Sequence, residues 1–220
     1  MNWRIVEMGE AAWLIENDLA GEAANRYALA LAAAIEQQIQ TGLIAVVPAI
    51  NSVLLQFDPL LVEAEELREQ VEQIVPGLKS VSAAPARIIE IGVVYGGTAG
   101  PDLTEVAATA GLSEAEVVAL HSNQTYRVLM IGFAPGFPYL GPLPKQLQLP
   151  RRKTPRTAVP AGSVAIAAGM SGIYPARLPG GWHLLGSTEQ RMFTPERTQP
   201  ALLAPGDGVQ FVPLPEGVQP

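Results

Sequence analysis

With 220 residues, 48% of them hydrophobic and only 16% charged, the chain has enough apolar material for a packed core and too little charge for a disordered one. A net charge of −7 argues against nucleic acid as a partner, because phosphate binding needs basic surface, and the lack of cysteine excludes disulfides, thiolate chemistry and cysteine metal sites. The apolar runs are broken well before about 18 residues and the N-terminus lacks a basic-then-apolar leader pattern, so a soluble, cytoplasmic protein with no membrane partner is expected.

Turn-forming residues divide the chain. Residues 1–85 hold 4 Gly and 4 Pro with 4 basic and 12 acidic side chains, whereas residues 86–220 hold 17 Gly and 16 Pro with 10 basic and 9 acidic. Two domains, 1–85 and 86–220, are therefore expected, with "SVSAAPAR" (80–87) as the linker. In the first, "RIVEMGEAAWLIE" reads as one or two strands. Tyr27, Leu31, Ala34, Ile35 and Ile39 recur at helical spacing, and "LIAVVPAINSVLLQF" reads as two strands joined by a turn. A second helix is expected from Asp58 as N-cap and Pro59 as first residue, with Leu60, Ala64, Leu67, Val71 and Ile74 on one face. This order predicts a small ferredoxin-like α+β sandwich.

The second part opens with the strand "RIIEIGVVY". Two short helices follow, for which Asp102 with Glu105 and Ser113 with Glu116 have capping-box spacing. From Tyr126 on, "YRVLMIGF", "GSVAIAAG", "SGIYP", "GWHLLGS", "RMF" and "VQFVP" are short strands between Gly and Pro turns, the pattern of a closed or nearly closed β-barrel. Within "MIGFAPGFPYLG" (130–141), Gly132, Gly136 and Gly141 with Pro135 and Pro138 exclude a helix and disfavour a central strand. A rigid loop presenting Phe133, Phe137 and Tyr139 is expected.

No phosphate loop, GxGxxG, GxSxG elbow or HExxH is present. Imidazole chemistry near neutral pH rests on His121 or His183. His121 follows a helix, where it either complements the helix dipole or carries protons; His183 lies in a strand, where a structural role is expected. With no cysteine, and no carboxylate close to either histidine in sequence, no metal site is expected. "PRRKTPR" gathers Arg151, Arg152, Lys153 and Arg156 between Pro150 and Pro155, either an anion clamp of arginine forks or a solvated basic loop. In "LPGGWHLLG", Gly180 and Gly181 with Trp182 either line a pocket or make a turn and fill the core.

Taken together, "GFAPGFPYLG", "PRRKTPRTAVPAGSVAIAAG", "SGIYP", "PGGWHLLG", "VVYGGTAGPDL" and "LHS" resemble the family of the B component of prokaryotic 5-oxoprolinase, which includes Kip-type histidine-kinase inhibitors and allophanate hydrolase subunit 1 domains. The resemblance implies a small α+β domain followed by a cyclophilin-like β-barrel. It also implies ATP-dependent opening of 5-oxoproline to glutamate, with subunits A and C as partners; since no nucleotide loop is present, ATP is expected either mainly on a partner or at an interface. On the same resemblance, His121 and Arg156 are the catalytic candidates. Phe133, Pro135, Gly136, Phe137, Tyr139, Arg151, Arg152, Tyr174, Gly180, Gly181 and Trp182 are the substrate-binding candidates. Met170 and Ser171 stand where the family commonly has Gln and Thr, and His183 where it has Gln. The competing implications are a module that binds a sensor histidine kinase and a component of urea or allophanate metabolism.

Overall fold

A computed structural model describes residues 2–78 and 87–215. Apart from Arg87, the expected linker lies outside the described residues. The chain separates into two compact units, Met1–Ala84 and Pro85–Pro220.

The first unit runs β1 (Trp3–Glu7), β2 (Ala12–Asn17), α1 (Gly21–Gln38), β3 (Leu43–Pro48), β4 (Ser52–Phe57) and α2 (Ala64–Ile74). Its antiparallel sheet has the order β1-β2-β4-β3. This is the ferredoxin-like sheet with its edge strand supplied from the start of the chain instead of the end. Alternation along β2 and β4 turns Trp13, Ile15, Val53, Leu55 and Phe57 onto Leu31 and Ile35 of α1 and Leu67 and Val71 of α2. The second helix begins later than its sequence predicts. Asp58 closes a turn instead, accepting hydrogen bonds from Leu60 N–H at its side chain (2.9 Å) and from Leu61 N–H at its carbonyl (3.0 Å). Leu60 is consequently 91% exposed.

The second unit runs β5 (Ile88–Tyr95), α3 (Leu103–Ala110), α4 (Glu114–Ser122), β6 (Thr125–Ile131), β7 (Pro138–Gly141), β8 (Arg156–Val159), β9 (Ser163–Ala167), β10 (Met170–Ile173), β11 (Leu178–Gly180), β12 (His183–Ser187) and β13 (Gly208–Leu214). Seven strands close a barrel in the order β10-β7-β6-β13-β5-β12-β9, and β8 and β11 form a separate ribbon. The expected α+β class with a closed barrel is borne out. Closure depends on β13, which pairs in parallel with β5 over seven residues, Gly208↔Ile88 to Leu214↔Val94. Ser113 makes its capping box with Glu116; Asp102, at the equivalent place before α3, makes no side-chain cap bond. The "RMF" segment forms only an isolated bridge, Phe193↔Ala201. The glycine- and proline-rich run is part loop and part barrel strand: Pro138 opens β7, which is paired on both sides.

Candidate functional site

The barrel wall is one strand thick and its two faces pack different clusters, because successive side chains of a strand point opposite ways. Leu140 of β7, Val164 and Ile166 of β9, Ile173 of β10 and Leu185 of β12 fill the interior. Their neighbours Tyr139, Ala165, Ala167, Tyr174 and Leu184 pack outside with Phe137, Val159 and Trp182. The outer cluster gathers the aromatic candidates. Phe137 is its hub, with ring centroids 5.1 Å from Tyr139, 5.2 Å from Tyr174, 5.7 Å from Trp182 and 5.4 Å from Phe133, all near edge-to-face.

Phe137, Tyr174 and Trp182 are buried and form a floor. The accessible rim is Phe133, 60% exposed, with the half-buried Tyr139. Two consecutive tight turns put Phe133 there. Ala134 N–H bonds to Gly132 carbonyl (2.8 Å) across Phe133, whose φ is +68°, a three-residue turn that is rare and strained. Phe137 N–H then bonds to Ala134 carbonyl (3.0 Å), with Pro135 and Gly136 at the corner and Gly136 at φ +80°, the residue order of a type II turn. Gly136 serves packing more than ligand approach: a Cβ there would lie 2.8 Å from Phe193 Cβ and 2.9 Å from Met192 carbonyl. At Gly180 a Cβ would overlap the Tyr174 hydroxyl and approach its Cζ to 2.8 Å, so this glycine makes room for the phenol. Gly181 supplies a carbonyl to Arg152 N–H (2.8 Å).

The arginines are also brought to this side, but two of them already hold an anion, which corrects the expectation of a free clamp. Asp102, almost fully buried, receives Arg156 Nη1 and Nη2 on its two oxygens (2.9 and 2.7 Å), Arg152 Nη1 (2.9 Å) and Leu184 N–H (2.7 Å). Arg152 also reaches Glu105 (3.1 Å). Burial disfavours the Asp102 carboxylate, but Arg156, the Leu184 amide and Arg152 together outweigh it and hold the carboxyl below the usual range. Helix capping was the wrong role for Asp102, since its oxygens are fully engaged by β8, β12 and Arg152. Arg151 is exposed and makes no ion pair among the described residues. It nonetheless sits close enough to Tyr139 and Tyr174 to favour their phenolates, although burial dominates and pushes both phenols up.

His121 does not join the group. It is fully buried inside the barrel, stacked on Phe211 with centroids 4.5 Å apart. Its Nδ1 lies 2.7 Å from Tyr95 hydroxyl and its Nε2 2.9 Å from Ser171 Oγ. Ser171 donates to Ala165 carbonyl (3.2 Å), so it accepts from Nε2–H, which leaves Nδ1 to accept from Tyr95. Burial alone pushes the imidazole down to about 3. Ser171 faces the interior, while Gly172 beside it meets Phe137, so the barrel wall separates His121 from the aromatic rim. A proton carrier to substrate at that rim is not what this geometry provides. His183 holds Pro150 carbonyl through Nε2 (2.9 Å). Among the described residues no group of three or more His, Asp or Glu is placed to hold a metal ion.

Residues 3–203 match the model of the carboxyltransferase domain, subdomain C and D. The chain belongs to this family. It is 39% identical to the 5-oxoprolinase B component of Bacillus subtilis (strain 168) over 98% of this chain and 95% of that protein. To the 5-oxoprolinase B component of Escherichia coli O157:H7 it is 59% identical over 60% of this chain and 61% of that protein. The crystal structure of TTHA0988 superposes with a TM-score of 0.83 at 41% identity, covering 95% of this chain and 41% of that one. The matches thus span about three fifths of the E. coli protein and two fifths of TTHA0988. The resemblance to the family of the oxoprolinase B component is borne out. No helix among the described residues is long and apolar enough to cross a membrane.

Proposed function

We propose that the chain is the B component of a 5-oxoprolinase, which opens the lactam of 5-oxo-L-proline to L-glutamate with hydrolysis of ATP and works in complex with subunits A and C. The observation that carries this reading is the B. subtilis relative of that name, which aligns over nearly the whole of both chains. The outer face of the barrel agrees with it chemically. A small ring bearing one carboxylate suits an exposed aromatic edge, Phe133 with Tyr139, near the guanidinium of Arg151, which has no ion-pair partner among the described residues. In this assignment Phe137, Tyr174 and Trp182 shape the floor, Gly136, Gly180 and Gly181 let the chain pack around it, and Pro135 stiffens the turn.

A lactam resists hydrolysis, and phosphorylation of its oxygen turns that oxygen into a leaving group. This chemistry needs cationic groups and a site shielded from stray water. Asp102 fills the Arg152–Arg156 pair, which leaves those two guanidinium forks no place for a triphosphate. The nucleotide is assigned to a partner subunit. His121, behind the barrel wall, is assigned to the support of Ser171 and Tyr95 instead of to proton transfer at the substrate.

The test is glutamate release from 5-oxoproline and ATP by this protein mixed with its A and C partners, repeated with each component omitted. Release that requires all three supports the assignment. No release from a complex shown by sedimentation to be assembled refutes it.

A further inference from the structure

Three arginines of one short segment, Arg151 and Arg152 in the loop and Arg156 at the start of β8, have different surroundings, and the difference carries a functional consequence. Asp102 binds two of the three. It is 4% exposed and takes four hydrogen bonds, three from guanidinium groups and one from the Leu184 amide. The two oxygens are thereby used on both sides, and the fork of Arg156 is saturated in the parallel, two-bond geometry that a bound carboxylate would otherwise adopt. Removing Arg156 would leave this buried charge with only Arg152 and the Leu184 amide to compensate it.

The backbone on both sides of Arg151 is fastened as well. Pro150 carbonyl accepts from His183 Nε2 (2.9 Å), and Arg152 N–H donates to Gly181 carbonyl (2.8 Å). The residue between these two anchors is exposed and has no carboxylate partner among the described residues. Its charge acts on the phenols of Tyr139 and Tyr174, both of which pack on Phe137 in the aromatic cluster.

We infer that Asp102 is the positioning residue of this site: by gathering Arg152 and Arg156 onto one carboxylate it fixes the loop and leaves Arg151 as the arginine of this segment that meets a ligand. The site therefore takes a monoanionic carboxylate attached to a small ring. This rests on the reading of the outer barrel face as the 5-oxoproline site. It refines that reading by separating the arginine that binds from the two that hold shape.

The 220-residue chain is titrated with sodium acetate and with 5-oxoproline at constant ionic strength, binding being followed by calorimetry. Arg151→Met is expected to weaken 5-oxoproline binding about tenfold, the loss of one charge-assisted contact, and Lys153→Met, also exposed, less than about twofold. Asp102→Asn frees two guanidiniums, so its affinity for acetate is expected to rise about tenfold or more above the wild type. In the assembled complex, Arg151→Met is expected to raise KM for 5-oxoproline with kcat nearly unchanged, and Asp102→Asn to lower kcat, since it displaces groups rather than removing a contact.

Equal losses in Arg151→Met and Lys153→Met, or an acetate response in Asp102→Asn no larger than in the wild type, would overturn the inference. Should Asp102→Asn not fold by circular dichroism, the comparison of the two exposed-cation variants decides alone. If acetate behaves as expected but 5-oxoproline does not bind the wild type, the charge arrangement stands and the oxoproline reading falls. If 5-oxoproline binds wild type and Arg151→Met equally, the reverse holds.

Discussion

The buried imidazole of His121 makes acid a specific perturbant of the barrel unit. In the folded chain it is wholly buried and holds its proton affinity down to about 3, whereas in the unfolded chain it returns to about 6.5. Between those values the unfolded state binds a proton that the folded state refuses, so the contribution is complete above about pH 6.5 and shrinks as pH falls. With a neutral folded imidazole, linkage gives a loss of about 0.7 kcal/mol from pH 7 to 6 and about 1.2 kcal/mol more from pH 6 to 5. The assay is urea unfolding near those three pH values, with and without His121→Gln, a change that abolishes the titration. Trp182, the single tryptophan after residue 85, reports the barrel transition in a Trp3→Phe, Trp13→Phe background. The variant is expected to be less stable near pH 7 by about 1–3 kcal/mol, having lost the stack on Phe211, and its deficit should narrow by the amounts above. Parallel pH profiles for the two proteins would mean that His121 titrates normally when folded and is not a neutral, walled-off imidazole.

Other outcomes follow from the site's packing. Gly180→Ala should destabilise the barrel unit by about 1–3 kcal/mol through overpacking against Tyr174, and in a double-mutant cycle Tyr174→Phe should recover part of that loss, as measured by thermal unfolding. Phe137→Ala, which empties the hub of the outer cluster, should lose about 3–5 kcal/mol by the same measurement. Phe133→Gly should leave stability within about 1 kcal/mol of wild type, because the strained φ of +68° is relieved while little buried area is lost; isothermal titration should nevertheless show weaker 5-oxoproline binding. Leu60→Ser should change stability by less than about 0.5 kcal/mol, in keeping with a turn and not a helix face at residues 58–62, whereas Leu67→Ser should be severely destabilising in urea unfolding.

Much of the fold was legible because local periodicity and packing agree. The helical spacing of Leu31 and Ile35 and the alternation of Trp13 with Ile15 are the same residues that meet in the first core. The start of α2 was misread because Asp-Pro has good cap chemistry, and that chemistry is spent on a turn preceding the helix. β7 was hidden by Pro138, whose missing N–H costs little at the first position of a strand. At the candidate site, the aromatic residues were legible from their unusual density around Gly and Pro. Asp102 was not: its sequence neighbourhood fits a helix cap, and its true partners, Arg152, Arg156 and Leu184, are 50 to 82 residues away. Sequence separation also concealed the role of His121, whose partners Tyr95 and Ser171 lie 26 and 50 residues away, in strands on either side of it.

The parallel pairing of β5 with β13 also has a bearing on synthesis. The strand that opens the barrel unit has to wait for the strand that ends it, 120 positions separating the paired residues Ile88 and Gly208. A nascent chain can complete the ββαββα unit early, but until β13 emerges the barrel retains two unpaired edges, on β5 and β6, and long-range closure of this kind is slow. During that interval the apolar faces of β5 and β6 are aggregation-prone surface. Truncation within residues 208–214 would therefore be felt first as loss of soluble protein, before any question of activity arises.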